Sequence, residues 1–529
     1  MDGAYFSDSW RVTNKLTINF GVRYDVTLMP IYGSIKDGNG FTGDLNFNNG
    51  TYVLTALPPV CDPVNPVPPC IPFGIGPGGT NPQPGQSYLP ANVVVTPHAN
   101  GAIFQNDLTN FQPRFGFAYQ LAHNTVLRAS YGRFYDNWAA VTQSAQNYEG
   151  SWPDTGQLGA ALNPVNAPPT PGLAEAPTGT GPAIAGPSPF TGFNWYADPH
   201  MQRPYADQFN FGVQHQLGSS TVLTANYVGS RGHRLDIGFS GNTGKTPSTV
   251  ANYLPTGATT SSPYPYITPA DFDTAIGKSS YNALQASLNG RGFHGLTYLI
   301  SYTWSKTLDL GCTGWYGVEG CSIQNPYNLK NDKGPAGTDV PQIFSASWVY
   351  QLPFGKGQKY STSNGVVNYV VGGWTLNGIL SLTSGTPFFV GVSGDIAHIA
   401  ANTACCALGF GNYERLNFLG GNPYASNKSP SQWLNPAAFA IPAPGTFGNL
   451  GRDTLRSDRY KNLDLSLFKQ FPIPITESTK LEFRFETFNL TNTPVWGVPD
   501  VNISDAAFGT ISSTANTARQ LQFGLKLYF

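Results

Sequence analysis

Apolar and polar residues take turns along this chain. In the last stretch, Ala518 to Phe529, every second place holds Leu521, Phe523, Leu525, Leu527 or Phe529, and Gln520, Gln522, Gly524, Lys526 and Tyr528 fill the gaps. A period of two describes a strand with one apolar and one polar face. About thirteen segments of this kind can be read along the chain. Tyr5 to Val12 and Lys15 to Thr27 are joined through Thr13-Asn14, and Arg114 to Leu121 and Thr125 to Tyr135 through His123-Asn124. Asp207 to Leu217 turns at Gly218-Ser219 into Thr221 to Gly229, and Ser280 to Asn289 turns around Gly292 to Gly295 into Leu296 to Lys306. Gln342 to Leu352 reaches Gly373 to Thr383 through a longer polar turn, and Asn462 to Phe471 turns at Pro472-Ile473-Pro474 into Lys480 to Leu490.

Between these pairs lie long Gly-, Pro- and Asn-rich stretches without sustained periodicity, roughly Pro30 to Asn110, Asn137 to Arg203 and Ser384 to Thr454 among them. The connections therefore alternate short, long, short, long. Hairpins of a soluble sandwich have no reason to keep that order, whereas an outer-membrane barrel has short periplasmic turns at one rim and long external loops at the other. The expected fold is all-β: a partial antiparallel transmembrane β-barrel of about thirteen strands, with residues 1–529 as one barrel domain.

Charge placement supports that reading. Lys480 to Phe488 reads KLEFRFETF, so Leu481, Phe483 and Phe485 can face lipid while Glu482, Arg484 and Glu486 face an aqueous lumen. A slip of one residue would exchange the two faces, and an Arg at the lipid midplane costs about 2–4 kcal/mol. Arg114, Arg128, Asp464 and Lys526 are expected on the same lumen side, with Asn226 and Asn377. Trp10, Tyr24, Tyr131, Tyr135, Tyr302, Trp304, Trp348, Tyr350, Trp374 and Tyr528 gather near strand ends, as interfacial girdles do, although strands favour aromatics in any case.

Composition changes the picture in three ways. Only 11% of residues are charged, well under the usual quarter, which argues against several ordinary soluble domains. The net charge of −1 offers no basic surface to nucleic acid. No run of about 18 apolar residues exists, so a transmembrane helix is not expected. The start, MDGAYFSDSW, has neither a basic n-region nor an apolar h-region, so the expectation is the carboxy-terminal part of a longer product, a late-assigned start, or a decayed fragment.

Several stretches resemble the Oar-like TonB-dependent transporters of the Gram-negative outer membrane. They are YFSDSWRVTNKLTINFGVRYD (Tyr5 to Asp25), YNALQASLNGRGFHGLTYLISYTWSKTLD (Tyr281 to Asp309), LDLSLFKQF (Leu463 to Phe471), LEFRFETFNLTNTPVWG (Leu481 to Gly497) and FGTISSTANTARQLQFGLKLYF (Phe508 to Phe529). The resemblance implies a regulatory β-sandwich, a plug and a 22-stranded barrel, of which this chain would supply the last thirteen strands. It implies outer-membrane lipid as surroundings, the barrel assembly machinery as a partner, and TonB contact only through a segment that cannot be pointed to here. The terminal Leu525, Leu527 and Phe529 resemble the signal that this machinery reads, or are simply an apolar strand end.

Recognisable chemistry is sparse. Cys61, Cys70, Cys312, Cys321, Cys405 and Cys406 all fall in the long stretches. Cys61 with Cys70 and Cys312 with Cys321 each bracket a short loop, so two local disulfides are expected, each worth about 2–3 kcal/mol in the chain-closure model. Cys405-Cys406 is open to a vicinal bond, pairing across loops, or free thiols. No His stands at zinc-ligand spacing to a Cys, and no metal or cofactor is assigned. Ser466-Leu467-Phe468-Lys469 matches S-x-x-K, but inside an alternating strand rather than at a helix start. Asn489-Leu490-Thr491 is a glycosylation sequon by pattern alone. The chain is not expected to be an enzyme. Three functions are therefore weighed: the barrel part of a TonB-dependent transporter for a peptide, protein or carbohydrate; a passive porin or loop-displaying barrel; and an outer-membrane hydrolase, which lacks a catalytic motif. Trp138, Tyr148, Trp195, Trp315 and Tyr316 in the loops are expected to pack those loops together or to contact ligand.

Overall fold

A computed structural model describes residues 2–26, 43–46, 48–54, 57, 89–95, 107–136, 189–190, 195–198, 201–310, 323–400, 413–473 and 479–529. Its principal sheet runs, in chain order, through β1 (Asp2–Arg11), β2 (Leu16–Val26), β3 (Phe111–Ala122), β4 (Thr125–Tyr135), β5 (Tyr205–Leu217), β6 (Thr221–Gly241), β7 (Ala270–Phe293), β8 (Leu296–Asp309), β9 (Gln342–Gln351), β10 (Trp374–Thr383), β11 (Tyr460–Pro472), β12 (Lys480–Phe488) and β13 (Gln520–Tyr528). Each strand pairs antiparallel with its neighbour in sequence, which is the up-and-down order of a barrel wall. Among the described residues no helix is long and apolar enough to cross a membrane; the strands have the length for it.

Register carries the two faces from strand to strand. On one face Phe20 meets Phe115, Phe115 meets Tyr131, Tyr131 meets Phe209, and Phe211 meets Tyr227. The same face continues through Leu223 to Leu288, Leu288 to Ile300, Ile300 to Ala346, Ala346 to Leu380 and Leu380 to Leu463. It ends on Leu467 to Phe485 and Phe485 to Phe523. Many of these side chains, Phe115, Phe211, Phe523 and Leu525 among them, are exposed. A sheet that leaves its apolar face uncovered along thirteen strands has no use for water on that side.

The connections alternate as the sequence implies. Residues 12–15, 123–124, 218–220, 294–295, 352–373 and 473–479 join strands at one rim; residues 27–110, 136–204, 242–269, 310–341, 384–459 and 489–519 join them at the other. Apolar-face aromatics collect at both rims. Trp10, Trp348, Tyr350 and Trp374 lie at the short-turn rim; Tyr24, Tyr131, Tyr135, Tyr302 and Trp304 lie toward the long-connection rim. Tyr528 departs from this pattern: it sits on the polar face, opposite Lys480.

Two features differ from the sequence reading. β6 and β7 run far beyond Gly229 and Ser280, pairing from Arg231–Ser280 up to Gly241–Ala270, with register shifts around Leu235. This upper hairpin stands past the apolar belt, so selection for alternation is absent there and the period of two fades. The connection between β9 and β10 is not merely a polar turn. It contains a short helix, α1 (Gly365–Val371), capped by Asn364, whose side chain accepts from the amides of Val366 and Val367 at 3.0 and 3.2 Å.

The long connections are not free loops. Leu45, Tyr52, Leu54, Val93, Phe190 and Ile267 form one buried cluster drawn from three of them. Phe388, Val390, Leu416, Trp433, Leu434, Phe439 and Ile511 belong to a second, drawn from the β10–β11 and β12–β13 connections. Both cores lie outside the principal sheet, so its long-connection end carries folded caps of its own.

Candidate functional site

The polar face of the sheet is the first candidate. The β12–β13 pairing sets Glu482 opposite Lys526, Arg484 opposite Gly524 and Glu486 opposite Gln522, while Leu481, Phe483 and Phe485 meet Leu527, Leu525 and Phe523 on the other face. Arg114, Arg128 and Asp464 fall on the same polar face, since Arg114 pairs with Gly132, Arg128 with Gly212, and Asp464 with Ile379 beside the Asn377–Ser466 pair. All seven charged residues singled out from the sequence thus share one side of the sheet. Asn226 and Asn377 lie there as well.

These charges are held by neighbours. Gln470 Nε2 donates to Glu482 at 2.7 Å, and Arg484 Nε donates to the other Glu482 oxygen at 2.5 Å. The Arg484 guanidinium also stands 4.9 Å from the Phe468 ring centroid, and Arg114 stands 4.8 Å from that of Phe134. Asp464 Oδ1 accepts the Asn489 amide at 2.8 Å. Two cavities open on this face. One of about 1080 Å³ includes Asn19, Arg23, Arg114, Ser130, Gln208 and Asn210 in its lining. The other, about 540 Å³, includes Asn377, Asp464, Ser466 and Glu486. Arg23, Arg114 and Asp8 are among the residues lining the first, and Asp464, Glu486 and Arg291 among those lining the second, so each cavity has groups of both signs beside apolar side chains such as Phe134 and Phe488.

A second constellation, which the sequence reading missed, ties the long connections together. Arg452, 1% exposed, donates Nε to the Asp332 carbonyl at 2.9 Å, Nη1 to Asp453 at 2.8 Å and Nη2 to the Asp309 carboxylate. Arg415 Nη2 meets Asp332 Oδ1 at 3.0 Å, and its Nε and amide both donate to Gln324 Oε1. Asp339 accepts from Lys306 Nζ at 2.9 Å and from Arg456. Partners up to 143 positions apart in sequence bind the end of β8 to the β8–β9 and β10–β11 connections. Tyr327 Oη donates to the Thr243 carbonyl at 2.7 Å, and His398 Nδ1 lies 2.8 Å from the Ser248 carbonyl, so the β6–β7 connection joins the same cap. The signal in the sequence was local: in a chain so poor in charge, the GRDTLRSDR run of 451–459 concentrates five charged residues.

Burial decides how these groups ionise. It raises Asp332 to about 6 despite the attraction of Arg415, and it lowers Arg415 in turn. Both shifts disfavour the charged forms, so desolvation exceeds the mutual attraction of this pair. Glu414 is pushed up to about 8, by burial first and then by the carboxylate of Asp395, even though the Ala397 amide donates to it. Asp339 behaves oppositely. Burial alone would raise it, but the Lys306 ammonium, the Thr307 amide and Arg456 outweigh burial and hold it below the usual range.

Other residues noted in the sequence fall as follows. Ser466 and Lys469 lie on opposite faces of β11. Ser466 accepts from Asn377 at 3.3 Å, and Lys469 donates to the Tyr369 and Val370 carbonyls, so the S-x-x-K match brings no serine–lysine pair together. Leu525, Leu527 and Phe529 are exposed on the last strand and its end. Cys61, Cys70, Cys312, Cys321, Cys405 and Cys406 lie outside the described residues, as do Trp138, Tyr148, Trp315 and Tyr316; Trp195 starts a three-residue strand parallel to β7. Asn489 of the sequon is buried and donates to the Thr517 carbonyl at 3.0 Å. Among the described residues no group of three or more His, Cys, Asp or Glu is placed to hold a metal ion.

A wall with one predominantly apolar face, two aromatic rims and alternating turn lengths defines the class of bacterial outer-membrane barrels. A family model described as "Outer membrane beta barrel domain" matches residues 1–522, and the chain belongs to that family. Its location is the outer membrane of a Gram-negative bacterium. No curated protein matches the sequence. Among solved structures it is similar to the outer-membrane transporter YddB of Escherichia coli, at 11% identity and a TM-score of 0.44, over 99% of this chain and 44% of that one. It is similar also to the siderophore receptor PirA of Acinetobacter baumannii, at 10% identity and 0.42, over 100% and 45%. The ferripyoverdine receptor of Pseudomonas aeruginosa is a third, at 11% and 0.40, over 100% and 38%. The chain thus spans less than half the length of these structures.

Proposed function

We propose that residues 1–529 form barrel wall of an Oar-like TonB-dependent transporter, with lipid against the apolar face and the passage against the polar face. The long-connection caps capture the ligand outside, and the charged polar face carries it inward. The observation that carries this reading is the coincidence of two independent patterns: one face stays predominantly apolar through thirteen registered strands, with charges such as Asp8, Arg133, Asp207 and Lys469 toward the strand ends, and every long connection leaves from the same rim. Ligand class follows the family resemblance, a peptide, protein or carbohydrate, and TonB is engaged through another part of the working protein. The exposed Leu525, Leu527 and Phe529 are the segment offered to the barrel assembly machinery. Protein and lipid, not nucleic acid, are the partners of so weakly charged a chain.

The test is uptake by Gram-negative cells expressing the natural gene product, offered fluorescent oligopeptides and oligosaccharides with and without collapse of the proton-motive force. Energy-coupled transport predicts surface capture that survives the collapse and internalisation that stops. Internalisation indifferent to the collapse identifies a passive barrel, and absence of both capture and uptake counts against a receptor of either ligand class.

A further inference from the structure

The helix α1 is built inside out for water. Its one polar side chain, Asn368, is half-buried and turned into the connection, where it accepts the Thr362 amide at 2.9 Å and donates to the Thr362 carbonyl at 2.5 Å. Its apolar side chains point away: Val366 is 73% and Val370 58% exposed, and Val367, Tyr369 and Val371 are exposed with them. Seven residues are too few for a helix to persist by propensity alone, so something outside the connection must hold it.

Three anchors do so, and all come from one face of the sheet. Lys469 Nζ donates to the Tyr369 and Val370 carbonyls, satisfying acceptors of the last helical turn. Trp374 Nε1 donates to the Val370 carbonyl at 3.0 Å, and the Tyr369 ring lies 5.9 Å from that of Phe471. Lys469 pairs with Trp374 and Phe483, and Phe471 with Leu481, which places all three anchors on the apolar face. The helix is therefore fastened to the outer side of the wall at the short-turn rim, and its exposed valines extend the apolar belt past the last turn of strand. The connection that carries it, residues 352–373, also holds Lys356 and Lys359 and no Asp or Glu.

We propose that α1 is an interfacial anchor, seated in the phospholipid headgroup and upper acyl region of the leaflet at the short-turn rim, with Lys356 and Lys359 toward lipid phosphates. Short turns of outer-membrane barrels face the periplasm, so this is the phospholipid leaflet. Valines and a tyrosine entering the interface beside basic residues follow the pattern of helices that lie on membranes. The device would fix the depth of β9 to β11 in the bilayer. It rests on the reading of the apolar face as lipid-facing.

The test places p-benzoylphenylalanine at Val370, at Tyr369 as a conservative second position on the helix, at Leu465 in the middle of the apolar face, and at Ser466 on the polar face. The folded chain, confirmed by its heat-modifiable mobility, is photolysed in vesicles of alkyne-tagged phosphatidylethanolamine and phosphatidylglycerol. Lipid adducts are expected at 369, 370 and 465 and not at 466. Adducts at 465 without adducts at 369 or 370 overturn the anchor and leave the barrel reading standing. Protein adducts at 370 in place of lipid overturn it in favour of a covering polypeptide. No lipid adduct at 465 overturns the lipid-facing assignment, and the anchor with it.

Discussion

Asp332 and Arg415 show what a buried charge does in this molecule. Both are almost fully enclosed, and each is pushed toward its neutral form. Removing one partner leaves the other uncompensated, which typically costs about 3–5 kcal/mol. Arg415→Met is therefore expected to loosen the cap formed by the β8–β9 and β10–β11 connections while the strands stay paired. Limited proteolysis of folded protein in vesicles would register this as new cleavage in residues 310–341 and 384–459 with the heat-modifiable band intact. Acidification toward about pH 5 should partly restore protection, because a protonated Asp332 no longer needs its cation.

Titration of the cap follows from the same residues. Asp332 and Glu414 have folded values raised above the unfolded 3.8 and 4.5. Their stability contribution is full below those unfolded values and is lost as pH rises through about 6 and about 8. Asp339 is lowered instead, so its contribution is present above the unfolded 3.8 and lost only in stronger acid. Protease resistance of the cap should accordingly decline from mildly acidic toward alkaline pH. Glu414→Gln should abolish the upper part of that decline; an unchanged profile in the variant would assign the upper transition to another group. Beyond the charge-dense run of 451–459, none of this was legible in the sequence. Alternation announces a charge on a strand, but a buried ionic knot joins residues more than a hundred positions apart and leaves no periodic trace.

At the scale of the element, β11 and β12 were readable almost to the residue, because a strand between lipid and water has no freedom in its alternation. The account predicts unlike responses at adjacent positions. Leu465→Arg puts a cation on the apolar face at a cost of about 2–4 kcal/mol. Ser466→Arg puts it on the polar face, opposite Glu486, where about 0.5 kcal/mol or less is expected. Urea titration of refolding into vesicles, read by gel mobility, would compare the two; equal costs would show that the faces do not differ in solvent. The elements the sequence concealed are those released from the belt. The upper parts of β6 and β7 are held by pairing with each other, and α1 by side chains from β10 and β11, so neither needed a pattern of its own.

For the whole molecule, the decisive sequence signal was the order of short and long connections, which no single strand contains. That order alone places both rims, and the aromatic residues fall into two groups by register. The interior of the long connections stayed hidden because their cores, such as Trp433 with Leu434 and Phe439, gather isolated apolar residues from several loops. Removing Phe529, 94% exposed at the end of the chain, should slow assembly in cells while leaving refolding into vesicles in vitro nearly unchanged. A matching defect in both settings would make Phe529 a folding residue and not an assembly signal.

The central claim is that neighbouring residues of one strand live in different solvents. A genetically encoded spin label scanned from Leu481 to Glu486 in protein reconstituted in vesicles tests it most directly, by power saturation with oxygen and with a water-soluble nickel chelate. The account predicts oxygen maxima at Leu481, Phe483 and Phe485 and nickel maxima at Glu482, Arg484 and Glu486. Accessibilities that rise and fall together, or that show no period of two, would contradict it.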